Sequence, residues 1–133
     1  MQCGVFAALS FVRHYARMNI RIIVDSIALA EVGEIAEEFY KDMVKGVADV
    51  EREVIALGGE YHMDANAALI ADGSAQDNLW GFNVYPERDP EDWIEYISLI
   101  NIRPALGHRT LEIKDELLRG KIKAIIEKRI KRP

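Results

Sequence analysis

The sequence has a single cysteine, no long apolar run and no internal repeat. Cys3 is alone among 133 residues, which excludes an internal disulfide and a zinc site built on several cysteines. No stretch approaches the ~20 apolar residues that cross a bilayer. The apolar start from Met1 to Val12 has no basic region ahead of it, unlike a secretory signal. We therefore expect a cytoplasmic protein with no membrane partner.

Acidic residues outnumber basic ones, and the two kinds are unevenly distributed along the chain. The formal net charge is −5, yet Arg13, Arg17 and Arg21 precede the first acid, and basic residues are concentrated again in segment 111–133. The acidic middle argues against a broad nucleic-acid-binding face. The basic ends are complementary to that middle, either within one chain or between two copies.

Apolar spacing and turn residues predict strands and helices in succession. Leu29, Val32, Ile35, Phe39 and Met43 recur at spacings of three and four, which predicts an amphipathic helix that ends near residue 46. Runs rich in β-branched and aromatic residues predict the strands. The predicted strands are 19–24, 47–57, 60–63, 79–85 and 93–103, and further helices are predicted at 65–71 and from 111 or 114 onward.

The predicted fold class is α+β. Strands joined by short turns are antiparallel, so we expect two layers, with an antiparallel sheet of about four to five strands covered on one face by the N-terminal and C-terminal helices. A chain of this size forms one domain, which we place at residues 18–133. Residues 1–17 are predicted to be an N-terminal extension or alternative-start segment, because Met18 begins a more ordinary start.

Three polar residues alternate within one predicted strand. Alternate residues of a strand point to the same face, so Glu60, His62 and Asp64 would form one cluster. One imidazole and two carboxylates suit a divalent metal, and His62 would also serve as a general base. Arg103 would then stabilise negative charge that develops in a reaction. The alternative is a solvated strand face without a site.

A second polar strand face is predicted at Asp49, Glu51 and Glu53. Three like charges in a row require a cation, an arginine or bulk water beside them, and Arg103 is the candidate arginine. The simpler interpretation is a solvated face with one salt bridge.

The segment from Asp72 to Pro86 is rich in polar and aromatic residues. It contains neither a nucleophile-elbow pattern nor a phosphate-loop pattern. Trp80, Asn83 and Tyr85 are candidates for a pocket or a dimer interface, and the alternative is that the aromatic rings belong to the core.

Several motifs together resemble a known family. They are Glu-Ile-Ala-Glu-Glu-Phe at 34–39, Gly-Gly-Glu-Tyr-His-Met-Asp at 58–64, the 72–86 segment, and Ile-Asn-Ile-Arg-Pro at 100–104. In this order they are similar to the small bacterial and archaeal proteins grouped as domain of unknown function 5674, from about Met18 to the C-terminus. The resemblance implies no particular activity, substrate or cofactor.

The sequence therefore supports two main functional hypotheses, besides a third in which the basic C-terminal helix contacts nucleic acid. The first is a small cytoplasmic binding or regulatory module that acts as a homodimer, motivated by the edges of a small sheet and by complementary charge. The second is a metal-assisted hydrolase or nuclease, with Glu60, His62 and Asp64 holding a divalent metal. Neither hypothesis identifies a small-molecule ligand, or a cofactor other than that metal.

Overall fold

The computed structural model describes residues 12–15 and 19–133. Its helices are α1 (Leu29–Ala36), α2 (His62–Ala71) and α3 (Glu116–Arg129). Its strands are β1 (Val12–Tyr15), β2 (Ile20–Ile23), β3 (Ile27–Ala28), β4 (Val44–Asp49), β5 (Val54–Leu57), β6 (Leu79–Val84), β7 (Ile94–Glu95) and β8 (Ile130–Lys131). No helix in this part of the chain is long and apolar enough to cross a membrane.

Six of these strands form one antiparallel sheet. Their order is β1–β2–β5–β4–β6–β7, and β3 pairs separately with β8 in parallel. In the β4–β5 hairpin, Gly46 lies opposite Leu57 and Asp49 lies opposite Val54. β4 is central, because its other side pairs with β6 along its full length.

Helices cover both faces of the sheet. α1 and α3 pack on one face, where Val32 and Ile122 join a core that includes Ile55 and Phe82. α2 packs on the other face, where its alanines and Leu69 meet a second group of strand residues. The predicted α+β class and the antiparallel sheet under the N-terminal and C-terminal helices are confirmed. The sheet also carries α2, so the structure has three layers where two were expected.

The strand predicted at 60–63 is wrong, because this segment begins α2. Gly58 and Gly59 have φ values of 113° and 90°, a conformation that glycine adopts at little cost, and they turn the chain away from the sheet. Asp64 Oδ2 then accepts a hydrogen bond from the backbone N–H of Tyr61 at 2.9 Å. Such a bond satisfies a free donor at a helix start, so residue 62 enters a helix.

The single strand predicted at 47–57 is also wrong, because a tight turn divides it into β4 and β5. Asp49 Oδ1 accepts hydrogen bonds from the N–H groups of Glu51 and Arg52, both at 2.9 Å, and Glu53 has a φ of 57°. An aspartate that bonds to the backbone two residues ahead favours a turn over a ladder. The polar residues 51–53 therefore mark a hairpin turn.

Two other predicted boundaries change. The first helix ends at Ala36, and Gly46 lies inside β4 opposite Phe82, where a Cβ would be 2.4 Å from the Phe82 ring. The strand predicted at 93–103 pairs with β6 only at Ile94–Glu95, and Ile97 and Arg103 make isolated bridges to Glu112 and His108. Beyond Glu95, Ser98 Oγ accepts from the N–H of Ile100 at 3.2 Å and begins a 3₁₀ turn.

The C-terminal helix is confirmed, and it connects to the acidic turn between β4 and β5. Asp115 Oδ1 accepts from the N–H of Leu117 at 3.0 Å, so the helix begins at residue 116. Near its end, Lys128 Nζ lies 3.0 Å from Glu53 Oε1, and Arg129 Nε donates to the Glu53 carbonyl at 2.8 Å. Part of the charge complementarity seen in the sequence is therefore used within one chain.

The predicted extension at residues 1–17 is only partly described. Residues 1–11 and 16–18, and Cys3 with them, lie outside the described residues. Residues Val12–Tyr15 of the predicted extension form β1, which pairs with β2 in antiparallel register.

Candidate functional site

A pocket opens between the start of α2 and the chain segment that follows β7. Its volume is about 480 Å³, within the usual range of small-molecule sites, which is roughly 300–1,000 Å³. The residues that line it are Lys45, Tyr61, His62, Met63, Asp64, Asn83, Ile97, Ser98, Leu99, Ile100 and Leu111. We call this space the α2 pocket.

The floor of the α2 pocket is a row of polar side chains across the sheet. Lys45 on β4 lies directly opposite Asn83 on β6, and Asn83 lies opposite Glu95 on β7. Residues paired in this way share one face of a sheet. Val47, two residues beyond Lys45 and so on that same face, belongs to the core beneath α2. On this face of the sheet, the row of polar residues therefore lies directly beside the apolar residues that α2 covers.

The rim of the α2 pocket is apolar and open to solvent. Leu99 is 77% exposed and Tyr61 is 62% exposed, and Met63, Ile97 and Leu111 are also exposed. Isolated apolar residues on a surface need no explanation, but a group of them around a cavity marks a binding surface. A molecule with an apolar body and a polar head would therefore contact the rim with its body and the floor with its head.

Lys45 is the charged group at the floor of the α2 pocket. Its side chain is half-buried, and it makes no salt bridge in the part of the chain that the structure describes. Its Nζ lies 5.1 Å from the centre of the Tyr40 ring, close enough for a cation–π contact. Burial lowers the pKa of Lys45, and the negative charge of Glu95 partly opposes that shift. The ammonium is thus partly dehydrated, and the Glu95 charge acts on it without a salt bridge within this region.

His62 is held as a neutral ring beside that lysine. Its Nε2 lies 2.9 Å from the Phe82 carbonyl oxygen, and because a carbonyl only accepts, Nε2 carries the proton and Nδ1 carries the lone pair. Burial lowers the pKa of His62 to about 4; the Phe82 carbonyl opposes this, the Lys45 charge adds to it, and the Asn83 amide opposes it more weakly. The positive charge at the floor therefore comes from Lys45 alone at neutral pH.

Glu95 is occupied by neutral donors instead of by Lys45. Asn83 Nδ2 donates to Glu95 Oε1 at 3.2 Å and to the Ile97 carbonyl at 3.4 Å, and the Tyr85 hydroxyl donates to the same Oε1 at 2.9 Å. Both partners of Nδ2 only accept, so the orientation of the amide is fixed. Asn83 Oδ1 is then buried without a hydrogen-bond partner among the described residues.

The outer wall of the α2 pocket is attached to β6 by the side chain of Asn101. Its Oδ1 accepts from the N–H of Gly81 at 2.8 Å, and its Nδ2 donates to the carbonyls of Gly81 at 3.0 Å and of Leu111 at 3.2 Å. Arg103 extends this attachment by donating to the carbonyl of Leu79. These side chains make hydrogen bonds to backbone N–H and C=O groups of β6 that would otherwise need a neighbouring strand as partner.

Replacing Gly81 by alanine should displace this wall. A Cβ at Gly81 would lie 2.4 Å from Ser98 Cβ, whereas a Cβ at Gly120 in α3 would meet nothing within 4 Å. We expect Gly81→Ala to lower the free energy of unfolding by about 1–3 kcal/mol, the usual cost of overpacking. The control Gly120→Ala should raise it by about 0.5–1 kcal/mol.

Urea unfolding of both variants measures the difference, and adding Ser98→Gly to Gly81→Ala should recover part of the loss. Equal stabilities for Gly81→Ala and Gly120→Ala would show that the wall does not pack on β6 as described.

The predicted metal cluster is not assembled in the structure. Because residues 62–64 are helical, Glu60, His62 and Asp64 do not share a strand face. His62 bonds to Phe82, Asp64 caps α2, and Glu60 is exposed and lies outside the pocket lining. Within residues 19–133, no group of three or more histidine, cysteine, aspartate or glutamate side chains is placed to hold a metal ion.

Arg103 makes no salt bridge, among the described residues, with the acids that it was predicted to balance. Its guanidinium stacks 4.2 Å above the Trp80 ring, and burial lowers its pKa. Asp49 is fully buried at the end of β4, and Glu53 pairs with Lys128. Glu51 and Glu53 lie in the turn instead of on a strand, so the predicted row of three acids does not form.

The three aromatic-segment candidates separate into different roles. Trp80 is 5% exposed and packs between Arg103 and His108, whose ring centre is 4.8 Å from its own. Asn83 lines the α2 pocket, and Tyr85 bonds to Glu95 at its margin. Sequence reasoning did not identify Lys45 or Leu99. Lys45 is the one charged residue between Val44 and Ala48 in an otherwise apolar strand, and that pattern was the available signal.

Comparison with known proteins gives one match. The family whose model matches residues 21–129 is described as "Protein of unknown function (DUF5674)". No curated protein matches the chain, and no solved structure matches it. The matched range contains every residue that lines the α2 pocket.

Proposed function

Since the chain belongs to the DUF5674 family of proteins of unknown function, as its motifs predicted, and that description names no activity, we propose a function from the geometry of the α2 pocket. The protein is a binding module for a small amphipathic anion. The negative head of the ligand pairs with Lys45, and its apolar body lies against the rim.

The half-buried ammonium of Lys45, which makes no salt bridge among the described residues, carries this proposal. A charge that is removed from water without a partner raises the free energy of the protein, and an anion in the pocket would lower it again. Glu95, the nearest candidate on the same sheet row, instead accepts from Asn83 and Tyr85. The neutral state of His62 leaves a single positive charge at the floor, which suits a single anionic group such as a carboxylate.

The apolar rim supports the second half of the proposal. Five exposed apolar side chains surround the opening, and covering each would contribute about 25 cal/mol per Å² of apolar area removed from water. A ligand with a carboxylate and a hydrocarbon body matches both the floor and the rim, whereas a wholly polar metabolite would leave the rim exposed.

The same charge argues that a second copy of the chain is not the occupant of this pocket. A twofold interface presents the same patch from both subunits, so an interface centred on this pocket would bring two Lys45 ammonium groups towards each other. Like charges that meet across an interface are costly. The homodimer, the regulatory role and the cytoplasmic location expected from the sequence stay predictions, and a purely monomeric sedimentation profile at micromolar concentration would count against the dimer.

Octanoate titrated into the protein in a calorimeter should bind saturably, with one ligand per chain. We expect Lys45→Met to weaken the affinity about ten-fold or more, since a hydrogen bond to a charged group contributes about 1.5–3 kcal/mol. Lys41→Met, an exposed lysine outside the pocket, is the matched control and should bind like the unmodified protein. Octanol, which has no charge, should bind both variants equally. Absence of octanoate binding, or an equal effect at Lys41, would contradict the proposal.

The metal-assisted hydrolase draws no support from the positions of Glu60, His62 and Asp64. It stays a sequence-based prediction that metal titration of the purified protein can test.

A further inference from the structure

Lys45 differs from every other lysine of the chain in its surroundings. It is half-buried at the base of an apolar-rimmed pocket, whereas the remaining lysines are exposed to solvent. They are Lys41, Lys114, Lys121, Lys123, Lys128 and Lys131. A lysine amine is nucleophilic only when it is unprotonated, and loss of hydration in an apolar pocket favours that form.

We propose that Lys45 is an acylation site, at which an acyl thioester places its hydrocarbon chain along the rim of the α2 pocket and transfers its acyl group to Nζ. This inference rests on the proposed function, because the same rim that holds the body of an anion holds the acyl chain. The thioester is the co-reactant, and the structure supplies the position and the amine.

The reaction is an acyl transfer without oxidation or reduction. The lone pair of neutral Nζ attacks the thioester carbonyl carbon, a C–N bond forms and the C–S bond breaks. The leaving group departs as a thiolate, and the proton lost from nitrogen passes to solvent or to that thiolate. The products are an amide at Lys45 and a free thiol.

Two features of the pocket favour this outcome at Lys45. Binding of the chain holds the carbonyl near the amine, and such proximity converts a collision into an intramolecular step. The amide that forms is neutral, so the cost of keeping a partly dehydrated ammonium disappears. Acylation would also fill the pocket and remove its cation, so the modified protein should no longer bind octanoate.

The test uses the octanoyl thioester of N-acetylcysteamine and the full-length protein. Peptide mass spectrometry at timed intervals measures the acylation of each lysine in the same sample, so the exposed lysines are internal controls. We expect Lys45 to react at least about ten-fold faster than Lys41 because of proximity, with a rate that saturates in thioester and falls when octanoate is added. Equal rates at Lys45 and Lys41 would overturn the inference.

Octanoate affinity and the acylation rate of each lysine, both measured on the unmodified protein, separate this inference from the proposed function. If octanoate binds the unmodified protein and Lys45 shows no preference, the acylation site is wrong and the proposed function stands. If octanoate does not bind, and Lys45 reacts no faster than Lys41, both are wrong.

Discussion

Lowering the pH from about 6.5 to about 4 should reduce the free energy of unfolding by about 3 kcal/mol through His62 alone. The pKa of His62 is about 4 in the folded protein, against 6.5 for an unperturbed histidine, and each pKa unit corresponds to about 1.36 kcal/mol. Between pH 6.5 and pH 4, the side chain of His62 is mostly protonated in the unfolded chain and mostly neutral in the folded protein. Stability from this residue is therefore complete above the unfolded pKa and is lost as the pH falls towards the folded pKa.

Unfolding by urea at several pH values between 7 and 4 checks this result. His62→Gln is the informative variant, because a glutamine amide can still donate to the Phe82 carbonyl but does not titrate. Its stability should depend less on pH than that of the unmodified protein, by about 3 kcal/mol over this interval. His108→Gln is the control, since it leaves His62 in place. Parallel pH profiles for the unmodified protein and His62→Gln would contradict the burial of this ring.

Asn101→Asp should lower the free energy of unfolding by about 3 kcal/mol, although the two side chains have nearly the same shape. Asn101 is 1% exposed, and its Nδ2 faces the carbonyls of Gly81 and Leu111. In aspartate, an oxygen would replace Nδ2 and face these two carbonyl oxygens, none of which can donate a hydrogen bond. The buried negative charge would have no donor on this side, and each such buried group costs about 1–3 kcal/mol or more. The pocket wall should loosen as a consequence.

Asn66→Asp is a matched control for this prediction. Asn66 is also buried, but it exchanges its two hydrogen bonds with Gln76, an exposed amide. Gln76 Nε2 already donates to Asn66 Oδ1 and can donate to the new carboxylate, while the exposed Gln76 side chain can move its Oε1 towards solvent, so the loss should be smaller. Urea unfolding and octanoate affinity are measured for both variants. If the two substitutions cost the same, the attachment through Asn101 does not hold the wall.

Sequence patterns predicted those helices and strands whose conformation depends mainly on the residues within the element itself. The stripe at Val32 and Ile35 gave α1, and the apolar run at 79–84 gave β6. The failures lie where a distant contact decides the outcome. Gly46 resembles a helix end, but it lies in a strand opposite Phe82, whose ring fills the space that a side chain at 46 would need. Residues 98–101 have the composition of a strand, yet it is the side chain of Asn101 that bonds to the β6 backbone. Its hydrogen bonds to the N–H and carbonyl of Gly81 are those that a neighbouring strand would make.

The candidate site was partly predictable for the same reason. His62 stands out in the sequence as the middle of an alternating polar trio and Asn83 as a polar residue among aromatic ones, and both line the pocket. The chemistry assigned to His62 changed when its segment proved helical, because its Nε2 then met the Phe82 carbonyl. Lys45 and Leu99 could not be paired from the sequence, since they come together only when the wall folds back over the sheet.

The central claim is that the α2 pocket binds an amphipathic anion through Lys45. The most direct measurement is an NMR titration of isotope-labelled protein with octanoate, in which each backbone amide reports its own environment. We predict saturable shifts confined to Lys45, His62, Asn83, Leu99 and Leu111, and their loss in Lys45→Met. Shifts centred instead on the groove lined by Trp93, Arg119 and Lys123, or no saturable shifts at all, would contradict it.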